Sequence, residues 1–276
     1  MPPIWIMYPH ITQFSIGWRM GSGEDYKCNF WDWLNTLTEN EQKKYQEMFP
    51  PPKNWREYYN SEYDFEDLED YECEGVELWN KHGVMEYSRE KLIEKHNLGE
   101  QIEYIFFWKP NINVVDKSCF GQWQPSKFNV DIGTYYCAEQ YMMAEKARLF
   151  DDKEVCELIM KSTDPKEMKV LGKKVKNFEQ TLWDKAKYSI VLNGNYFKFT
   201  QNECMRNFLL STGNKVLVEA SPLDTIWGIG LSESNEKSKN PSTWRGQNLL
   251  GFALMEVRDD LRNVYRNYDK IDFRTE

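Results

Sequence analysis

Residues 138 to 150, AEQYMMAEKARLF, form one helical stretch in which a glutamate and a lysine stand seven positions apart. At 3.6 residues per turn, seven residues are almost two turns, so Glu139 and Lys146 share a face about 10 Å apart along the axis. Met142 and Met143 lie between them. A carboxylate and an amine framing an apolar stripe are either expensive to bury or present to handle a ligand. The plainer alternative is an amphipathic helix with two surface charges and two core methionines.

The rest of the chain supplies a core for such a helix. With 276 residues, 41% of them hydrophobic, it folds without staples. No apolar run approaches a membrane span, and MPPIWIMYPH lacks the charged start of a signal segment, so the expectation is a soluble, cytoplasmic protein. The six cysteines are dispersed with no CxxC pair, and there are three histidines. That pattern indicates neither a zinc site nor a disulfide framework, and no metal or cofactor is called for.

The net charge of -9 is concentrated. Ten acidic residues and no basic one lie between Arg56 and Lys81, which leaves the remainder near +1. These carboxylates alternate with Tyr63, Phe65, Leu68 and Tyr71, so segment 57–77 is expected to be mobile or to face a protein partner. Lysines crowd residues 166 to 187, either as a solvated helix face or as positive potential for a phosphorylated ligand.

Two regions differ in texture. Residues 1–100 are an aromatic-rich extension with a capping box at Thr38 and Glu41, the stop Pro50-Pro51-Pro52, and a second helix over 88–96. Residues 101–276 are better punctuated. A buried strand is predicted over 102–108, and helices over 138–150, 152–161, 165–171, 178–192, 202–210 and 248–264, with a strand over 215–220. Asp164 with Pro165 marks one helix start, and Asn248 reads as the N-cap of the last. The expected fold is compact and predominantly α-helical, α+β with a few short strands.

Four ordered blocks of the second region carry a family resemblance. FGQWQPSKF at 120–128 is similar to LSNFYPSPF. Ala138-Glu139-Gln140-Tyr141 with Lys146 is similar to S/A-E-H-Y and its lysine. Leu217-Val218-Glu219 with Asp224 and Trp227-Gly228-x-Gly230 matches L-V-E…D-x-x-W-G-x-G, and Gly246-x-Asn248-x-Leu250-Gly251 through Arg258 matches G-x-N-x-L-G-x-x-L-M-x-x-R. Over roughly 103–262 the chain resembles the NADAR, or YbiA-like, family. It departs at Gly121-Gln122, at Gln140, and at Lys173, which stands for an arginine and lacks its planar fork.

The resemblance implies an N-glycoside hydrolase acting on the C1–N bond of a phosphorylated ribose. ADP-ribosylated guanine, in DNA, RNA or nucleotide, is preferred over a phosphoribosyl-aminopyrimidine of riboflavin synthesis, because nothing around the match suggests a biosynthetic fusion. It also implies roles. Glu139 is the expected general acid and base, Lys146 a Schiff-base nucleophile, and Asp224 the group orienting the sugar or stabilising charge at C1. Substrate contacts are expected from Gln122, Trp123, Gln140, Tyr141, Lys173, Trp183, Glu219 and Trp227, with Asn248 beside them and the amides of Gly228 and Gly230 meeting a phosphate. On residue type alone, Asp224 is a turn residue and Trp183 and Trp227 are core aromatics. A non-catalytic sensor of ADP-ribose is the rival from another class, and an extension that docks a partner is a third reading.

Overall fold

The computed structural model describes residues 1–55, 58–59, 72–73, 76–77 and 85–273, and most of the acidic segment 57–77 therefore lies outside the described residues. Ten helices are described: α1 Ile4–Met7, α2 Ser22–Thr36, α3 Glu39–Met48, α4 Arg89–Asn97, α5 Ala138–Leu149, α6 Lys153–Lys161, α7 Pro165–Gly172, α8 Gln180–Gln201, α9 Glu203–Ser211 and α10 Leu249–Val264. The strands are short and pair in twos. They are β1 Glu72–Cys73 with β2 Val76–Glu77, β3 Tyr104–Phe107 with β6 Val216–Glu219, and β4 Phe128–Val130 with β5 Gly133–Tyr135.

Side-chain caps set half of the ten described helix starts. Thr38 and Glu41 close a reciprocal capping box on α3. Ser88 accepts from Lys91 N at 3.2 Å, Asp152 from Val155 N at 3.2 Å, and Asp164 from Lys166 N at 2.9 Å. Each satisfies one of the amides that a helix start leaves unpaired. Helix α5 differs, because Cys137 at its N-cap makes no side-chain cap. Its second amide, Glu139 N, instead donates to the carbonyl oxygen of Gln122 at 3.0 Å. The loop that precedes β4 is thereby tied to the first turn of the helix.

Helix α5 lies at the centre, packed by α6, α7 and α8, while α10 packs on α8 and β6. Helix α8 runs nine residues past the expected end at Leu192. The breaker-like Asn193-Gly194-Asn195 is a close crossing instead, since a Cβ on Gly194 would sit 2.6 Å from the Tyr141 ring. Strands β3 and β6 are parallel, in register from Tyr104↔Val216 to Phe107↔Glu219. That pairing delivers Glu219 and the loop after it beside the end of β3.

The N-terminal region builds its own aromatic cluster around Trp5, Trp18, Phe30 and Trp55, closed by Val264 of α10. Helix α2, absent from the sequence expectation, buries Tyr26, Phe30 and Leu34 in it at a spacing of four. Polar links join this cluster to the rest. Thr12 N donates to Asp131 Oδ1 at 3.0 Å, Asp131 N to His10 O at 2.7 Å, and Lys53 N to Asp260 Oδ1 at 3.2 Å. No helix among the described residues is long and apolar enough to cross a membrane.

Candidate active site

A cavity of about 780 Å³ opens where α5, α7, the start of α8 and the loops after β3 and β6 meet. Helix α5 gives it Glu139, Met142, Met143 and Lys146, the stripe that the spacing of residues defines. Gln122 and Trp123 come from the loop before β4, Lys169 and Lys173 from α7 and its end, and Trp183 from α8. Glu219, Asp224 and Trp227 come from the end of β6 and its loop. Nine of the expected site residues are thus brought to one surface, including Glu139, Lys146 and Asp224 together.

The carboxylates define its electrostatics. Glu139 is 3% exposed, and its Oε1 has no hydrogen-bond partner among the described residues. Burial pushes its pKa up to about 7; Lys169 and a hydrogen bond from Trp123 oppose this, and the charge of Asp224 adds to it. Glu219 is pushed up to about 8 by burial, then by the negative charges of Asp224 and Glu139, against Lys169. Its Oε2 is likewise buried without a partner among the described residues. Carboxyls so placed carry protons near neutrality and can give or take them.

Asp224 divides its two oxygens. Oδ1 accepts from Ile226 N at 3.0 Å and Trp227 N at 2.8 Å, which makes it the turn residue its type suggests. Oδ2 lies 3.9 Å from Lys169 Nζ. Lys146 lies against rings, its Nζ 4.2 Å from the centroid of Phe178 and 5.3 Å from that of Trp183. Burial lowers its pKa, so its amine reaches the neutral, nucleophilic form more readily than an exposed lysine.

Five expected contacts lie elsewhere. Gln140 faces away from the cavity, with Oε1 accepting from Tyr136 N at 2.6 Å and Nε2 donating to Ile159 O and Ser162 O at 2.9 Å, so it stitches α6 to α5. Tyr141 packs against Phe128 and Tyr135. The amide of Gly230 is spent on Asp224 O at 3.0 Å, which leaves it nothing to offer a phosphate. Gly228 is required by packing, because a Cβ there would meet Glu219 O at 2.8 Å. Asn248 occupies the N-cap position of α10 but does not cap it. At φ 58° its side chain turns to β6, accepting from Glu219 N and donating to Leu217 O, both at 2.9 Å. It takes the place of a neighbouring strand and holds Glu219 at the cavity edge.

Lys169 is a charged lining residue that sequence reasoning left unassigned. Its only signal was membership of the lysine-rich run, whose other members do not share its position opposite Asp224.

A buried carboxyl pair poised near neutral pH, with an amine and tryptophan walls in one cavity, is an acid–base site of the kind enzymes use on small polar substrates. The chain belongs to the NADAR family: the NADAR domain matches residues 106–262. It is 43% identical over 166 residues to N-glycosidase R617 of Acanthamoeba polyphaga mimivirus, covering 58% of this chain and 98% of that protein. It is 30% identical to N-glycosidase Npun_R5314 of Nostoc punctiforme, over 53% of this chain and 86% of the relative. With N-glycosidase YbiA of Escherichia coli the identity is 29%, over 57% and 88%.

Proposed function

We propose that this chain is an N-glycoside hydrolase that cleaves the C1–N bond of a phosphorylated ribose, with ADP-ribosylated guanine as its substrate. The observation that carries the proposal is the meeting of Glu139, Lys146 and Asp224 in one cavity with Glu139 poised at a pKa of about 7. That its relatives are N-glycosidases supports the reaction class.

In the proposed reaction the protonated Glu139 carboxyl gives its proton to the ribose ring oxygen. The C1–O bond breaks as the base nitrogen's electron pair forms C1=N, opening the ring. The neutral Lys146 amine adds to C1, and the base departs with the amine's proton to leave a C1=Nζ imine. Water, deprotonated by Glu139, adds to the imine carbon. Collapse then releases the aldehyde of the ring-opened ribose and restores the free amine. Asp224 Oδ2 orients the sugar hydroxyls and offsets positive charge at C1. Trp183 and Trp227 wall the base, and Lys169 and Lys173 receive the phosphates.

The test is release of free ADP-ribose from guanine-ADP-ribosylated DNA and RNA, with a phosphoribosyl-aminopyrimidine run in parallel and Glu139→Ala and Lys146→Ala as controls. Cleavage of the guanine adduct, lost in both variants, is expected. Cleavage of the aminopyrimidine alone would replace the substrate, and ADP-ribose binding without turnover of either would replace the enzyme with a sensor.

A further inference from the structure

Phe178 lies in none of the four blocks that carry the family resemblance, and it is not one of the expected site residues. Its backbone is nevertheless pinned on both sides. Lys176 N donates to Asp152 Oδ2 at 2.8 Å, and Asn177 turns the chain at φ 54°, a left-handed conformation that asparagine tolerates. Glu179 then accepts from Thr181 N at 2.8 Å and Leu182 N at 2.6 Å to start α8. The Phe178 ring packs on Phe150, the residue that ends α5, with centroids 5.2 Å apart at 60°. It is thereby tied to the helix that carries Lys146, while the residue stays 41% exposed.

Lys146 Nζ stands 4.2 Å from the centroid of this ring, nearer than to Trp183 at 5.3 Å. Among the described residues no carboxylate lies within ion-pair distance of the amine. Glu139 on its own helix, Glu219 and Asp224 across the cavity, Lys169 and Lys173 of α7 and its end, and Lys109 after β3 share its space. Glu145 pairs with Arg148, Glu154 of α6 with Lys176, and Asp184 of α8 with Lys187.

A lysine paired with a carboxylate keeps its proton well above neutral pH and must break the pair before it can attack. A ring face attracts the ammonium less strongly than a carboxylate, and it still fixes where the amine sits. Burial acts in the opposite sense and lowers the pKa. The amine is held in place while its proton remains easy to lose.

We propose that Phe178 is a positioning residue for the hydrolase, its ring holding the Lys146 amine where a carboxylate would lock it in an ion pair. This rests on the N-glycosidase reading of the cavity.

Competitive labelling of the full chain with acetic anhydride at graded pH, read by mass at the Lys146 peptide, gives the ionisation midpoint of the amine without any substrate. In Phe178→Leu the midpoint is expected to fall by about half to one pH unit. In Phe178→Glu, which supplies a counter-ion, it is expected to rise. Replacing Phe178 by pentafluorophenylalanine keeps the shape but removes the attraction of the ring face for a cation, and is expected to match the leucine variant. With the guanine adduct as substrate, Phe178→Leu is expected to lower kcat about tenfold with little change in KM, and Phe178→Tyr, which keeps the ring, to retain wild-type kcat. A midpoint unmoved by the fluorinated ring, or wild-type kcat in Phe178→Leu, would overturn the proposal. The expected midpoints in a wild type that turns over nothing would overturn the hydrolase reading and leave only the pairing of ring and amine.

Discussion

Asn195 donates its side-chain amide to the side-chain carbonyl of Gln122 at 3.1 Å, although Asn195 is fully buried and does not line the cavity that holds Glu139. One turn on, Lys198 Nζ donates to Gly121 O at 3.0 Å. Helix α8 thus grips the loop whose Gln122 carbonyl receives Glu139 N, so the acid's position depends on residues that never meet substrate. Asn195→Leu is expected to lower kcat about tenfold, with a smaller change in KM, as steady-state kinetics would record.

The carboxyls set a conflict between stability and activity. Glu139 titrates near 4.5 when unfolded and about 7 when folded, so between those values the folded chain holds a proton that the unfolded chain has lost. Its contribution is complete below pH 4.5 and is lost as pH rises through 7. Glu139→Gln, which keeps the shape without the charge, is expected to stabilise the protein at pH 8 by on the order of 2 kcal/mol while abolishing turnover. Thermal unfolding at pH 5 and pH 8 checks the sign, since the gain should shrink at the lower pH.

A covalent step has a direct signature. Borohydride added during turnover is expected to trap one ribose-derived adduct on Lys146, located by peptide mass, and none on Lys146→Arg. An active wild type that yields no adduct would instead support carboxylate-assisted hydrolysis with Lys146 as an electrostatic partner.

Asn248 is completely buried and serves two backbone groups of β6 at once. Asn248→Ala leaves Glu219 N and Leu217 O unpaired and puts a Cβ without a compensating side chain at positive φ. A loss of about 3 kcal/mol in urea unfolding is expected. Asn248→Gly relieves only the backbone part and should recover less than half of it.

How much of this was legible depended on whether the cause was local. The caps at Ser88, Asp152 and Asp164 are determined within a few residues and appear where their side chains predict. The β4–β5 hairpin escaped because its turn residue, Asp131 at φ 49°, is held by Thr12, 119 residues away. Gly194 reads as a helix stop until Tyr141 of α5 is placed against it. At the site, Glu139 and Lys146 were legible because helical period fixes their face. Gln140, adjacent to the acid in the same motif, was assigned to substrate because nothing local reveals that its amide is consumed by the carbonyls of Ile159 and Ser162.

The parallel pairing of β3 with β6 also bears on the order of assembly. Tyr104 meets Val216, a separation of 216 − 104 = 112 residues, and Asn248 must arrive afterwards to brace the second strand. Contacts so distant along the chain form slowly, because much loop entropy is surrendered before they reward it. Helices α5 to α8 precede in the chain the residues that form the opposite wall, Glu219, Asp224 and Trp227. An N-terminal fragment ending after α8 is therefore expected to leave Met142 and Met143 of the groove uncovered and to lack the Glu219 and Asp224 carboxylates.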